Sequence, residues 1–155
     1  MRKTNFLKPI LIHIVVLILS FIIVNIIWMI GELLTDNFIR SVVNASGSLI
    51  VAFLYIFLCR KFLKDLSRKT IWISIGIILS INLIFALCGF LMMNSGSQNV
   101  VEGSQVPLLF LIIFNYGFLP LIHLLQLPNV LGYMLMSLLS PSLLYLGTIN
   151  FKSKE

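Results

Sequence analysis

The chain has 155 residues, of which 59% are hydrophobic and only 10% charged, against roughly 25% charged in an ordinary soluble domain. A water-soluble domain of this length has too little interior to hide so much apolar side chain, so a soluble fold is excluded and lipid becomes the solvent. The formal net charge is +6, but the cations flank apolar runs rather than cover a folded surface. They read as topology signals and exclude nucleic acid as a partner.

The chain opens MRKTNFLKP and continues apolar, imitating a signal peptide with its basic leader. The apolar stretch is longer than a cleaved signal needs and no A-x-A-like site follows, so residues 9–30 are expected to remain as a signal anchor and first span. Trp28 falls at its far end, at the depth amphipathic rings prefer, and Gly31 can close the helix. This span is nearly all Ile, Leu and Val; its polar residues His13, Ser20 and Asn25 do not share one face. It is expected to be the most lipid-exposed helix, with His13 near the cytoplasmic interface, meeting headgroups or a backbone carbonyl.

Residues 41–59 form the second apolar run and 71–93 the third. Helix association in lipid depends on small and polar residues that allow close approach and hydrogen bonding. Asn44, Ser48 and Ala52 mark such a face in the second run, and Asn82, Ala86 and Gly89 in the third. Between them the segment RKFLKDLSRKT carries Arg60, Lys61, Lys64, Arg68 and Lys69 among Phe62, Leu63 and Leu66. It is expected to contact anionic lipids of the cytoplasmic leaflet, each cation contributing about 1 kcal/mol. Lys61, Asp65 and Lys69 can pair at i, i+4 spacing, and Thr70 can cap the third helix. Cys59 and Cys88 lie near opposite ends of neighbouring antiparallel spans, too far apart to form a disulfide.

Residues 94–105 are rich in Ser, Gly, Asn and Gln and read as a flexible loop. Residues 106–125 are apolar but interrupted near the middle by Asn115, Tyr116, Gly117 and Pro120. Gly and Pro loosen a helix there and Asn offers the freed backbone a partner, which suits a re-entrant hairpin or broken helix. The final run, 129–148, holds Pro141, expected to kink it about one turn earlier, and a small-residue face of Gly132, Met136 and Ser140.

Charge placement orients the chain. Arg2, Lys3, Lys8 and the five cations at 60–69 lie on one side, while the connections at 31–40 and 94–105 carry Glu32, Asp36 and Glu102 against Arg40 alone. The basic side is cytoplasmic by the Lys/Arg rule. If both late runs cross, Lys152 and Lys154 join Arg40 outside; if one crosses, only Arg40 is outside. The expected fold is therefore all-α, a polytopic integral membrane helix bundle. It has four transmembrane helices plus a re-entrant or interfacial segment at 106–125 in a single membrane domain over 1–155, with five transmembrane helices as the alternative. Both termini are expected to be cytoplasmic. The Ile-, Asn- and Lys-rich wording points to the plasma membrane of a bacterium.

No Asp or Glu lies at the centre of a run, which argues against proton-coupled carriers and intramembrane aspartyl proteases, since only a titratable group can relay or abstract protons there. H-E-x-x-H, G-x-S-x-G and C-x-x-C are missing, and two isolated histidines give no metal-ligand spacing. The expectation is a protein that is not an enzyme and holds no cofactor. Asn25, Asn82 and Asn115 are the polar residues nearest the membrane interior and, with His123, form the candidate polar membrane site. The Asn44-Ala-Ser sequon is read as accidental because it sits at the mouth of a span. An accessory, regulatory or protective protein that binds another membrane protein, a membrane-active peptide or a second copy of itself fits best. A small-solute transporter, channel subunit or substrate-binding component is the alternative, since carriers place sites at broken helices.

Overall fold

The computed structural model describes residues 7–94, 101–126 and 129–149. Arg2, Lys3, Lys152, Lys154 and residues 95–100 of the expected polar loop lie outside the described residues. Among those described, every regular element is helical: α1 Leu7–Gly31, α2 Asn37–Phe62, α3 Arg68–Asn94, α4 Val101–Phe114, a 3₁₀ turn Tyr116–Phe118, α5 Leu119–Leu125 and α6 Asn129–Thr148.

Four stretches are long and apolar enough to cross a membrane: Leu7–Gly31, Asn37–Phe62, Arg68–Leu91 and Leu131–Thr148. The chain is a multi-pass membrane protein of four spans. Large apolar side chains such as Leu11, Phe53, Phe57 and Leu87 point away from the bundle, where lipid rather than water makes their exposure favourable.

The ends of the helices follow local chemistry. Asp36 holds an extended backbone and its side chain accepts a bond from the Ile39 amide at 2.9 Å, starting α2 at Asn37, four residues before the apolar run. α1 closes at Gly31 as expected. α3 begins at Arg68, three residues earlier than a Thr70 cap would require. Ser67 supplies the cap instead, its hydroxyl accepting from the Thr70 amide at 3.2 Å and lying 2.8 Å from the Thr70 hydroxyl. Because α2 ends at Phe62 and α3 starts at Arg68, Asp65 falls in the turn. The expected helical i, i+4 pairing of Lys61, Asp65 and Lys69 therefore does not apply. Leu63 and Leu66 anchor this turn inward, while Arg60, Lys61, Lys64, Arg68 and Lys69 are all exposed.

α4 has 14 residues, about 21 Å at the rise of a helix, too short for a hydrocarbon core of about 30 Å. It descends antiparallel to α3 from the far end: Phe110 and Phe114 pack on Phe85, and Asn115 reaches Asn82 in the middle of α3. The chain then reverses. Gly117 lies against Val51, the Leu121 amide meets the Ser48 hydroxyl, and His123 and Leu124 share a cleft with Ser41 and Asn44. Rising residue numbers in α5 thus meet falling ones in α2. Residues 106–125 form a re-entrant hairpin that enters and leaves at the far end.

α6 makes the fourth crossing toward the basic end, where Tyr145 packs on Trp72 and Gly147 on Cys59. α1 is no more exposed than α3, since 28% of each apolar window is buried. Ile12, His13, Val16, Ser20 and Val24 make a buried seam along it. His13 and Ser20, seven residues apart, do share a face; only Asn25 departs from it.

Candidate functional site

The hairpin tip brings the polar residues of the bundle interior together. Pro141 continues α6 but cannot donate a backbone bond, so the Ser137 carbonyl one turn earlier is released. Asn82 of α3 takes it, its amide donating to the Ser137 oxygen at 3.1 Å. Asn115, at the break between α4 and the 3₁₀ turn, donates to the Asn82 side-chain oxygen at 3.1 Å and to the Leu111 carbonyl at 3.1 Å. The Ser140 hydroxyl completes the set by donating to the Asn115 side-chain oxygen at 2.6 Å. Asn82, Asn115, Ser137 and Ser140 are at most 2% exposed. The cluster ties α3, α4 and α6 together exactly where two helices have lost regular bonds.

Two further features seat the tip. Gly117 passes so close to the first two helices that a Cβ there would stand 2.6 Å from a Val51 methyl and 2.8 Å from the Ser20 Cβ, which makes glycine a requirement of close approach. The Leu121 amide, in the unbonded first turn of α5, donates to the Ser48 hydroxyl at 3.2 Å, so α2 caps the returning helix. Tyr116 meets Phe21 of α1 with ring centroids 5.2 Å apart.

The four candidate residues separate into three places. Asn82 and Asn115 are direct partners. Asn25 is not with them: its amide donates to the Phe21 carbonyl of its own helix at 2.6 Å, so a cavity lined by all three asparagines is not formed. His123 is exposed on α5 and lines a far-end cleft of about 190 Å³ with Trp28, Ser41, Asn44, Leu119, Pro120 and Leu124. Beside it the Trp28 indole donates to Glu32 at 3.1 Å, and Arg40 pairs with Glu32 at 3.5 Å and donates to the Leu34 carbonyl at 2.8 Å. The Asn44 carboxamide is packed against Gly31 and its oxygen is buried.

His13 also departs from expectation. It is 4% exposed, its Nδ1 lies 3.0 Å from the Tyr55 hydroxyl, and its ring stacks on Phe114. The helical spacing of His13 and Ser20 was a signal for this inward face. Ser140 and Ser137 were detectable through Pro141, since a freed carbonyl in lipid requires a donor. Among the described residues no group of three or more His, Cys, Asp or Glu side chains stands ready for a metal ion.

Comparison with models of known protein families, with curated proteins and with solved structures finds no match.

Proposed function

We propose that this protein is a non-enzymatic binding component of the plasma membrane of a bacterium, accessory, regulatory or protective in role. Its partner is another membrane protein or a membrane-active peptide. The observation that carries this reading is the far-end cleft, walled by α1 and α2 and floored by the returning arm of the re-entrant hairpin. Trp28 and Leu124 give it apolar surface, while Ser41, Asn44 and His123 give it polar points, the mixture a specific site uses. The hairpin beneath is held by bonds to α2, α3 and α6, so the cleft is formed before a partner arrives. Preorganisation of that kind reduces the ordering cost of association.

In this reading the basic turn faces the cytoplasm, its five exposed cations on anionic lipid, and the cleft opens to the outer leaflet. Lys61 rests its ammonium 5.5 Å from the Phe62 ring and 5.9 Å from the Phe57 ring, carrying charge beside side chains that enter the bilayer. A photo-crosslinking amino acid at position 123, activated in native membranes and followed by mass spectrometry, is expected to capture one specific partner; recovery of this chain alone counts heavily against the proposal.

A second reading, a small-solute transporter or channel subunit, draws on the helix break at Asn115. The Asn82 and Asn115 amides are committed to protein partners, which favours a clasp over a substrate site. Solute flux into proteoliposomes that Asn115→Leu abolishes would favour transport instead.

A further inference from the structure

We infer that the bundle interior contains a built site for a single water molecule, between the His13–Tyr55 pair and the hairpin tip, which joins the two polar groups into one network. A cavity of about 10 Å³ lies there, bounded on its polar sides by His13, Ser20, Tyr55, Asn115 and Ser140. That volume is at the lower bound for holding one water, which also needs two to four polar partners.

The demand for a partner comes from His13. Its Nδ1 is engaged with the Tyr55 hydroxyl at 3.0 Å, while its Nε2 is buried with no protein partner. If the tyrosine donates to Nδ1, Nε2 carries a hydrogen that needs an acceptor; in the other tautomer, Nε2 is an acceptor that needs a donor. Either form leaves a buried polar atom unsatisfied, at a cost that rises away from water. A water can meet either need.

The opposite wall has capacity to spare. Ser20 donates to Leu17 at 2.8 Å and Ser140 to Asn115 at 2.6 Å, so each hydroxyl oxygen keeps acceptor capacity. A water bonded to His13 Nε2 and to these oxygens would connect α1 and α2 with Asn115 and, through it, with Asn82 and the Ser137 carbonyl. The re-entrant tip would then be held from every span, not only from α2, α3 and α6.

The full chain in lipid nanodiscs, labelled with ¹⁵N-histidine, tests this. The exposed His123 is replaced in a His123→Gln variant so that the remaining ring signal is His13. The expected result is long-lived magnetisation transfer between water and the His13 ring, lost in Ser20→Val, whose extra methyl fills the cavity. The site is overturned if the folded His123→Gln protein shows no water contact at the His13 ring, a measurement that does not depend on Ser20→Val folding. Water contact that persists unchanged in a folded Ser20→Val protein also overturns it, because the water is then elsewhere.

Discussion

Replacing Asn115 by leucine isolates the clasp. The two side chains share the same branched heavy-atom outline, leucine being the larger, so the change removes polar contacts without opening a cavity. Asn115 makes three side-chain hydrogen bonds, to Asn82, Leu111 and Ser140. Two of these, to Asn82 and Ser140, run between helices; such bonds in membrane proteins average about 0.6 kcal/mol, with a maximum near 1.7, so Asn115→Leu should cost about 1 kcal/mol and no more than about 3. Asn25→Leu is the matched control, since its amide serves only its own helix. Unfolding by steric trapping in bicelles gives both free energies. An Asn115→Leu cost no larger than that of Asn25→Leu would refute the clasp. The double variant with Asn82→Leu should show a coupling of about 0.6 kcal/mol, because the two share a bond.

Glycine substitutions should separate by what a new methyl meets. Gly147→Ala places it 2.5 Å from the Cys59 Cβ and 3.3 Å from the Ile56 carbonyl, and Gly117→Ala is similarly blocked, so each should cost about 1–3 kcal/mol in the same assay. Gly132→Ala meets only a methyl of Ile122 at 2.9 Å and should cost less, while Gly76→Ala, with nothing within 4 Å, should be neutral or stabilising. For topology, single cysteines introduced by Lys64→Cys and Ile149→Cys should label from one face of the membrane and Gln126→Cys from the other, with Cys59→Ala and Cys88→Ala as background. Labelling of positions 64 and 149 from opposite faces would overturn the four-span arrangement. Neutralising Lys64 and Arg68 to glutamine should weaken retention of anionic over zwitterionic lipid, measured by native mass spectrometry, by about 1 kcal/mol per charge.

The architecture was legible in the sequence where a one-dimensional signal controls it. Apolar runs of membrane length fixed the four crossings, and Asn115, Tyr116, Gly117 and Pro120 marked the segment that could not cross plainly. Lys/Arg asymmetry separated four spans from five, and α6 does run back toward the basic turn. Local caps were less legible, because Asp36 and Ser67 lie outside the apolar runs and Thr70 offered the same chemistry as Ser67. In the site, Asn82 and Asn115 were named from the sequence as interior polar residues, and the packing of α3 beside the helix break makes them direct partners. Asn25 carried the same signal, yet bonds to its own helix.

What the sequence determined by itself was which residues must avoid water and which segments are interrupted, since the transfer of side chains and backbone into lipid depends on composition along the chain. The tertiary structure alone decided how the interruptions are satisfied. Pro141 frees a carbonyl wherever α6 is placed, but only the packing of α3 beside it brings Asn82 within 3.1 Å of Ser137. The same packing seats Gly117 between Ser20 and Val51 and turns His13 inward to Tyr55. In lipid a freed backbone group must find a donor or acceptor within the protein, and the donor here stands 55 residues away in the chain.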